Sequence, residues 1–303
     1  MNKLYDIVMI GHTSADINVD CHGEEVREIG GAVIFSSAAA YAAGKKVAVV
    51  TKLNEADKAR LERFVIPAED VYPIYTEKST SIKNEYFTED KEKRRCTCIS
   101  QSEGFVASDI PAGVEGKIYH FAGLIKGDFD GETIKEVSKK GKTAVDVQGL
   151  LRCAGETGEM YFADWEGKEK YLPYVYYLKT DAAEAEILTG LTDRYEAARI
   201  LYSWGAKEIV ITHNTEVIAY DGKEMYACPI KARNLSGRSG RGDTTFAAYL
   251  AERQDKDLAE SLLFATATVS AKMEKSGPYR GTRKDIEAYI AEFYKEGDVR
   301  KIQ

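Results

Sequence analysis

The stretch "NLSGRSGRGDTTFAAYL", residues 234–250, places three glycines, two arginines and one carboxylate just before a sequence that favours a helix. Gly240 and Gly242 free the backbone to turn successive N–H groups toward one point, and the helix that follows adds the positive end of its dipole. Such a place binds an anion, above all a phosphate chain. The stretch is not a Walker A motif, because Asp243 stands where that motif has lysine.

Asp243 has two chemical interpretations at this position. A carboxylate beside an anion site suits a general base, which takes the proton of a hydroxyl group as its oxygen attacks a phosphoryl group. The plainer interpretation is a helix cap, since aspartate is a favoured N-cap residue worth about 1 kcal/mol. An adhesion role for the tripeptide at 241–243 is disfavoured, because so short a motif recurs by chance.

The rest of the chain alternates β-rich runs with helical patterns. The β-rich runs occupy 5–11, 46–53, 117–123, 142–149, 176–181 and 207–213, and helical patterns include 32–44, 132–141 and 192–206. This alternation predicts an α/β fold with a mostly parallel sheet covered on both faces. Residues 71–100 differ, because their alternating polar and apolar residues favour antiparallel strands of a small lid sheet, with the charged run 90–95 as a solvated hairpin tip.

Composition narrows the class of protein. The chain has 303 residues, a net charge of -7 and no long basic stretch, which argues against a nucleic-acid or anionic-membrane partner. Five cysteines without C-x-x-C spacing indicate neither a disulfide framework nor a zinc site, and Cys96 and Cys98 are expected to pack in the core. With no signal-peptide pattern and no run of eighteen apolar residues, we expect a cytoplasmic protein that acts on a small molecule.

Several separated motifs resemble the ribokinase-like (PfkB) carbohydrate kinases. "GRGDTTFAAYL" (240–250) is similar to the family's Gly-Ala-Gly-Asp signature, "IGGAVIFSSAAAYAAG" (29–44) to its double-glycine signature, and "LKTDAAEAEILTG" (178–190) to its magnesium- and phosphate-organising stretch. The segments "GHTSADINVD", "STSIKNEYF", "DVQGLLR", "DWEGKEKYL" and "GRSGRGDT" resemble the bacterial myo-inositol kinase-like branch. The resemblance implies one kinase domain over 1–303, a ribokinase-like three-layer α/β/α sandwich whose lid is formed by about 12–30 and 71–100.

The resemblance also implies an activity and a donor site. It predicts transfer of the γ-phosphoryl group of ATP, with Mg²⁺, to a hydroxyl of a small polyol or sugar, best myo-inositol or a related cyclitol. Asp243 matches the catalytic base, and Gly240, Arg241 and Gly242 match the anion hole, where Arg241 replaces a small residue. The residues matched to nucleotide binding are Asp181, Glu184, Thr212, Asn214 and Gly242, of which Asp181 and Glu184 would also hold magnesium through water.

The acceptor site is predicted from both the resemblance and residue chemistry. Asp16, Gly30 and Gly31 match the family's substrate positions. Short polar or charged side chains suited to hydroxyl groups add Asn18, Thr80, Asn84, Gln148 and Arg152. Plainer interpretations stay open: a solvated strand for Asp16 and Asn18, turn chemistry for the glycines and for Thr80 and Asn84, and a surface ion pair for Arg152.

At some positions the sequence departs from the family pattern, and these departures leave alternatives for the acceptor and for the activity. Ala32 and Phe35 stand where ribose kinases have a lysine and an asparagine, so ribose is not the expected acceptor. Asn214 and Glu216 stand near positions where the family usually has glycines in the nucleotide loop. A kinase for another sugar, a sugar acid or a nucleoside, and a catalytically silent sugar- or nucleotide-binding regulator, remain alternatives. The chain is expected to be a monomer or homodimer, and the resemblance allows for a monovalent cation.

Overall fold

The computed structural model describes residues 3–89 and 93–303. Residues 90–92, which belong to the predicted lid and to the predicted solvated hairpin tip, lie outside the described residues. Within the described ranges, no helix is both long and apolar enough to cross a membrane.

The strands and helices are numbered in chain order. Strands β1 to β16 are Lys3–Ile10, Ser14–Val19, Glu25–Gly30, Val47–Leu53, Val71–Tyr75, Thr80–Tyr86, Arg94–Ser100, Val114–Phe121, Lys142–Asp146, Arg152–Ala154, Met160–Phe162, Tyr177–Asp181, Glu208–Thr212, Glu216–Tyr220, Met225–Pro229 and Arg300–Ile302. Helices α1 to α9 are Ala32–Ala42, Gly131–Val137, Gln148–Leu151, Lys168–Tyr171, Ala182–Thr189, Arg194–Ser203, Arg241–Glu252, Leu258–Met273 and Arg283–Phe293. Short 3₁₀ helices occupy Glu55–Arg63, Ala68–Asp70, Ala107–Asp109 and Leu172–Tyr174.

Ten strands form the central sheet, in the order β16-β15-β14-β13-β12-β9-β8-β1-β4-β5. Every neighbouring pair from β13 to β5 is parallel, whereas β14, β15 and β16 continue the sheet as antiparallel strands. The inner parallel strands are apolar runs, which is typical of strands that are buried on both faces. The predicted α/β class with a mostly parallel sheet is confirmed.

Helices cover both faces of this sheet and create two hydrophobic cores. Ile7 and Met9 of β1 pack in one core with residues of α1, α7, α8 and α9. Val8 and Ile10 pack in the other core with residues of α2, α5 and α6. Because successive residues of a strand point to opposite faces, the short apolar run of β1 supplies both cores, and the predicted three layers are confirmed.

A second sheet, which we call the small sheet, contains β3, β2, β6 and β7 in that order. Strand β2 pairs antiparallel with β3 but parallel with β6, and β6 pairs antiparallel with β7. Val71–Tyr75, which the sequence placed in the lid, is instead β5 of the central sheet, because it extends the parallel ladder from β4. Its position at the sheet edge leaves it half-buried, which explains the alternating pattern.

Candidate active site

The glycine-rich stretch forms the entry to α7. Gly240 is the N-cap residue, with φ of 72°, and a Cβ atom there would lie 2.1 Å from Cγ of Phe35. At Gly237 a Cβ atom would lie 1.8 Å from the carbonyl oxygen of Lys275. Only glycine fits such positions, so these residues bring the loop close to α1 and α8. The first N–H groups of α7, which have no partner within the helix, begin immediately after this turn.

Asp243 is the third residue of α7 and is half-buried. The helix-cap interpretation does not apply, because Gly240 is the N-cap. Burial and the nearby Asp146 carboxylate raise the pKa of Asp243 to about 6, against the lowering effect of Lys179, Lys272 and Arg152. A carboxyl with this pKa is largely ionised at neutral pH and is still basic enough to accept a proton.

Lys179 is a buried cation beneath the start of α7. Its Nζ lies 3.0 and 3.1 Å from the two carboxylate oxygens of Asp146 and 3.7 Å from Oε2 of Glu184. Burial opposes its charge, but Asp146 and Glu184 outweigh burial and hold the pKa of Lys179 above its usual value. A Cβ atom on Gly242 would lie 3.0 Å from this Nζ, so the absence of a side chain at Gly242 leaves the ammonium group against the helix N-terminus.

Lys272 of α8 holds the glycine-rich loop from the other side. Its Nζ donates to the carbonyl oxygen of Gly237 at 2.6 Å and also to that of Ser239. The same atom lies 5.0 Å from the centre of the Phe35 ring. Burial lowers the pKa of Lys272 to about 8, although the Asp243 carboxylate partly offsets it. Lys272 therefore fixes the loop and adds positive charge beside Asp243.

Lys179 and Lys272 are not among the predicted site residues, although the sequence contains a signal for each. Each lysine lies in a strand or helix segment with few other charges, "YYLKTD" and "TVSAKM". A buried lysine needs a carboxylate or carbonyl partner. That rule indicates an unusual site at each position, but it does not identify the partner, which comes from another element.

Asp181 and Glu184 form a capping box at the start of α5. Oδ1 of Asp181 accepts from the N–H of Glu184 at 2.8 Å, and Oε2 of Glu184 accepts from the N–H of Asp181 at 2.7 Å. Burial, together with Asp181 and Asp146, raises the pKa of Glu184 despite the opposing Lys179. The capping box uses one oxygen of each carboxylate, and both groups lie beside the Lys179 cluster.

The predicted nucleotide loop follows β13. Thr212 is buried, and its Oγ1 donates to the carbonyl oxygen of Thr180 at 3.4 Å. Arg241 donates from its guanidinium to Oδ1 of Asn214 at 2.7 Å, so this cation spans from the start of α7 to the loop. Glu216 accepts hydrogen bonds from Arg194 and from Arg300, each at 2.9 Å. These two contacts explain why a glutamate stands near a position where the family usually has glycine.

Asp16 lies on β2 at an enclosed position. A Cβ atom on Gly30 of the neighbouring strand would lie 2.9 Å from Oδ2 of Asp16, so glycine leaves room for the carboxylate. Burial raises the pKa of Asp16, against a hydrogen bond from Ser14 and the charge of Arg152. Within 3–89 and 93–303, the buried Oδ1 of Asp16 has no hydrogen-bond partner. An acceptor atom of this kind suits a hydroxyl donor.

Gly31 has a local structural explanation. It is the N-cap residue of α1, with φ of 110°. A Cβ atom there would lie 2.4 Å from the carbonyl oxygen of His12. The turn interpretation of Gly31 is therefore sufficient on steric grounds.

Arg152 lies between the two halves of the predicted site. It is only 7% exposed, which differs from the surface ion-pair interpretation. Its Nε donates to the carbonyl oxygen of Leu124 at 2.7 Å, and its charge acts on Asp16 and on Asp243. Gln148 is half-buried at the start of α3, where its N–H donates to Asp146 at 3.1 Å.

The polar residues of β2 and β6 contact one another. Asn84 donates from Nδ2 to Oδ1 of Asn18 at 3.0 Å, and Asn18 donates to Oε2 of Glu28 at 2.9 Å. Thr80 is fully buried, and its Oγ1 accepts from the N–H of Ser102 at 3.2 Å. The Thr80 hydroxyl is therefore used in a hydrogen bond within the protein. Asn18 and Asn84 lie on the same sheet face as Asp16.

One group of metal-ligand side chains lies away from the cluster around Lys179. Cys21, His22 and Glu89 meet at an exposed end of the small sheet, where His22 Nε2 lies 2.5 Å from Oε1 of Glu89. All three belong to loops next to β2, β3 and β6. Exposed acidic groups of this kind are common without an ion.

Comparisons with known proteins identify the family of this chain. A model described as pfkB family carbohydrate kinase matches residues 5–285. A solved pyrophosphate-dependent kinase in the ribokinase family, complexed with a pyrophosphate analogue and myo-inositol, is 35% identical, with a TM-score of 0.83 over 93% of this chain and 99% of that chain. The predicted ribokinase-like fold is thereby confirmed.

Two further relatives differ in acceptor. One solved structure, described as the conversion of a pyrophosphate-dependent myo-inositol-1 kinase into a myo-inositol-3 kinase by two substitutions, is 34% identical, with a TM-score of 0.82, and covers 94% of this chain and 98% of that chain. A cytidine kinase of Thermococcus kodakarensis is 28% identical over 82% of this chain and 88% of the relative.

Proposed function

This chain belongs to the pfkB family of carbohydrate kinases and is a phosphotransferase, and from that premise we propose that it phosphorylates a hydroxyl group of myo-inositol or a related cyclitol. One observation carries the proposed transfer to a hydroxyl group: Asp243 lies in the first turn of α7 with its pKa raised to about 6. A base with a pKa near working pH, placed beside an anion-binding helix end, suits phosphoryl transfer to a hydroxyl group.

In this mechanism Asp243 removes the proton of the acceptor hydroxyl as its oxygen attacks the terminal phosphorus atom of the donor. The bond from that phosphorus to the bridging oxygen breaks, and the rest of the donor leaves as phosphate from pyrophosphate or as ADP from ATP. The N–H groups that follow Gly240 hold the charge on the transferring group, because they are fixed before the reaction begins. Lys179 adds a buried cation below these amides. Arg152 offsets the charges of Asp16 and Asp243, which allows two carboxylates to share the cleft with an anion.

Magnesium fits the carboxylate cluster. Asp146, Asp181, Glu184 and Asp243 all act on Lys179, and burial, together with the neighbouring Asp181 and Asp146, raises the pKa of Glu184. Mg²⁺ favours oxygen ligands and is commonly held by one or two carboxylates together with water and phosphate. Asp181 and Glu184 would hold it through water, and the ion would neutralise charge on the donor's phosphates.

We favour inorganic pyrophosphate over ATP as the donor. Arg241 links α7 to Asn214, and Lys272 lies behind the loop, so this side of the site presents cations to a small polyanion. Arginine suits phosphate oxygens through its planar fork of donors. The solved relatives at 34% and 35% identity are described as pyrophosphate-dependent. ATP remains the alternative donor.

A cyclitol suits the acceptor side. One carboxylate accepts hydrogen bonds from two neighbouring hydroxyl groups, and Asp16 has a buried oxygen available for this purpose. Phe35, which stands where ribose kinases carry a polar residue, packs against Gly240 and Lys272. It therefore supports the anion-binding loop instead of a sugar.

The test is an assay of the purified protein with each donor against a panel of myo-inositol, hexoses, sugar acids and cytidine. We expect turnover with myo-inositol, faster with pyrophosphate than with ATP. Turnover with ATP alone would contradict the donor proposal and leave the acceptor proposal standing. Preference for cytidine would favour the nucleoside kinase, and donor binding without turnover on any acceptor would favour the regulator.

The remaining sequence-based expectations stay predictions. They are a cytoplasmic location, a monomeric or homodimeric state, the absence of a nucleic-acid partner, a monovalent-cation requirement and the role of the small sheet as a lid. Light scattering measures the oligomeric state, and assays in potassium and in sodium buffers measure the cation requirement.

A further inference from the structure

A continuous row of hydrogen-bonded side chains crosses all four strands of the small sheet. Cys96 on β7 donates to Oδ1 of Asn84 at 3.3 Å, Asn84 donates to Oδ1 of Asn18 at 3.0 Å, and Asn18 donates to Oε2 of Glu28 on β3 at 2.9 Å. The strand register makes the row possible, because Asn84 lies directly opposite both Asn18 and Cys96. We call these four residues the polar row.

The two ends of the polar row fix its direction. The Glu28 carboxylate only accepts hydrogen bonds, so Asn18 must present its NH₂ group to Glu28 and its oxygen to Asn84. Asn84 is then oriented in the same way, and its oxygen requires a donor, which is the thiol of Cys96. Each amide retains a second N–H whose position is set by this direction.

The polar row lies on the strand face that also carries Asp16, the proposed ligand of the acceptor. Asn18 shares a strand face with Asp16, because alternate residues of a strand point the same way. Arg152 and Glu28 both act electrostatically on Asp16, and Glu28 also acts on Lys272. Cys96 is half-buried, so the prediction that it packs in the core is replaced by a position in this face.

We propose that the polar row selects the acceptor, with Glu28 and Cys96 as specificity-determining residues at its two ends. The inference rests on the proposed cyclitol kinase function. Stereoisomers of a cyclitol differ only in the side of the ring on which each hydroxyl lies, so a fixed order of donors and acceptors distinguishes them. A site built to hydrogen-bond a hydroxyl discriminates against a mismatch, because the mismatch leaves polar groups of the row, above all the buried Asn84, without partners.

The first experiment compares variants at the two ends of the row. C96S keeps a hydrogen-bond donor at position 96, and C96A removes it. E28Q replaces the carboxylate with an amide that can also donate, so the hydrogen bonds of the row are no longer fixed in one direction. Thr97 pairs with Lys83 and points to the other face, so T97A is the matched control. C96A and E28Q should change the ratio of kcat/KM for myo-inositol to that for scyllo-inositol by about tenfold, mainly through KM, because a hydrogen bond is lost.

C96S and T97A should leave that ratio within about twofold of the wild-type value, since neither removes a donor from the row. An unchanged ratio in both C96A and E28Q would overturn the inference.

The second experiment does not depend on turnover. N-Ethylmaleimide labelling of Cys96 is followed by tandem mass spectrometry, which separates Cys96 from Cys98, with and without myo-inositol. Cys21, an exposed thiol outside the row, is the internal control. We expect myo-inositol to slow labelling of Cys96 several-fold and to leave Cys21 unchanged, because a ligand on the row shields the thiol.

The two proposals fail in different ways. Turnover of myo-inositol without protection of Cys96 would overturn the role of the row and leave the kinase function intact. Protection of Cys96 without turnover would support the row and contradict the proposed cyclitol kinase activity.

Discussion

Asp243 is held where burial disfavours the ionised form that the proposed chemistry requires. Its pKa is raised to about 6 from an ordinary value of 3.8, so the folded state binds the proton more tightly than the unfolded state. Stability therefore falls as the pH rises through this interval, by up to about 3 kcal/mol above pH 6. D243N removes that penalty, and we expect a higher melting temperature at pH 7.5 together with a kcat that is lower by roughly 10²–10⁴-fold.

Calorimetry and steady-state assays of D243N test both expectations. A variant at a solvated carboxylate, Glu156→Gln, is the control, because Glu156 is exposed and lies in a loop; its kcat and melting temperature should stay near those of the wild type. Near-normal turnover of D243N would remove Asp243 from the role of base.

The raised pKa of Asp243 also predicts how kcat/KM falls at acid pH. Asp243 must be ionised to accept a proton, so kcat/KM should fall below an apparent pKa of about 6. The ordinary carboxyl pKa of 3.8 would instead leave activity unaffected down to about pH 4.5. Initial rates between pH 4.5 and 8, at saturating donor, distinguish the two. A flat profile to pH 4.5 would show that the group acting as base does not have a raised pKa, which would contradict the environment assigned to Asp243.

Lys179 links the stability of the fold to the charge of the site. K179M leaves the buried Asp146 carboxylate without its cation, and breaking a buried pair in this way costs about 3–5 kcal/mol. Because Lys179 also lowers the pKa of Asp243, the acid limb of kcat/KM should move to higher pH. Denaturant unfolding and the pH profile measure these effects.

The double variant K179M/D146N separates the two roles of Lys179. It removes both charges of the pair, so we expect most of the stability to return while kcat stays low. Recovery of wild-type activity in the double variant would show that the ammonium group has no part in transfer.

At the scale of elements, the turn into α7 depends on glycine for two reasons. G240A places a side chain at a φ of 72° and a Cβ atom 2.1 Å from the Phe35 ring. Gly277 has a similar φ of 81° but no atom within 4 Å of a Cβ atom, so G277A is the matched control. We expect G277A to lower the free energy of unfolding by about 1 kcal/mol and G240A by about 3 kcal/mol or more.

Only G240A should also raise KM for the donor, because it displaces the loop that carries the first amides of α7. Thermal unfolding and donor titrations measure the two effects. Equal losses in both variants would mean that backbone strain alone explains the glycine and that the Phe35 contact is unimportant.

Elements with local signals could be predicted from sequence, and long-range partners could not. The β-rich runs and the glycine-rich turn follow from side-chain types within a few residues. Lys179 meets Asp146 across 33 positions, and Lys272 meets Gly237 across 35, so no local pattern pairs them. Strand β5 was placed in the lid because an edge strand of a central sheet has the same half-buried alternation as a solvated sheet.

At the scale of the whole molecule, the two sheets differ in burial. Strand β4 is buried throughout, whereas β3 is exposed over most of its length. Amides with few buried contacts exchange with solvent through low-energy local opening. We therefore expect hydrogen exchange in β2, β3, β6 and β7 to be much faster than in the central sheet of the free protein.

Acceptor binding should change exchange in a pattern that follows from the proposed lid. Myo-inositol would contact Asp16 and the polar row, so it should slow exchange in β2 and β6 at least several-fold and leave β4 unchanged. Hydrogen exchange followed by mass spectrometry, with and without myo-inositol, measures this directly, and ribose is the control ligand. Equal slowing by both ligands would indicate nonspecific stabilisation, and slowing confined to the central sheet would place the acceptor away from Asp16 and the polar row.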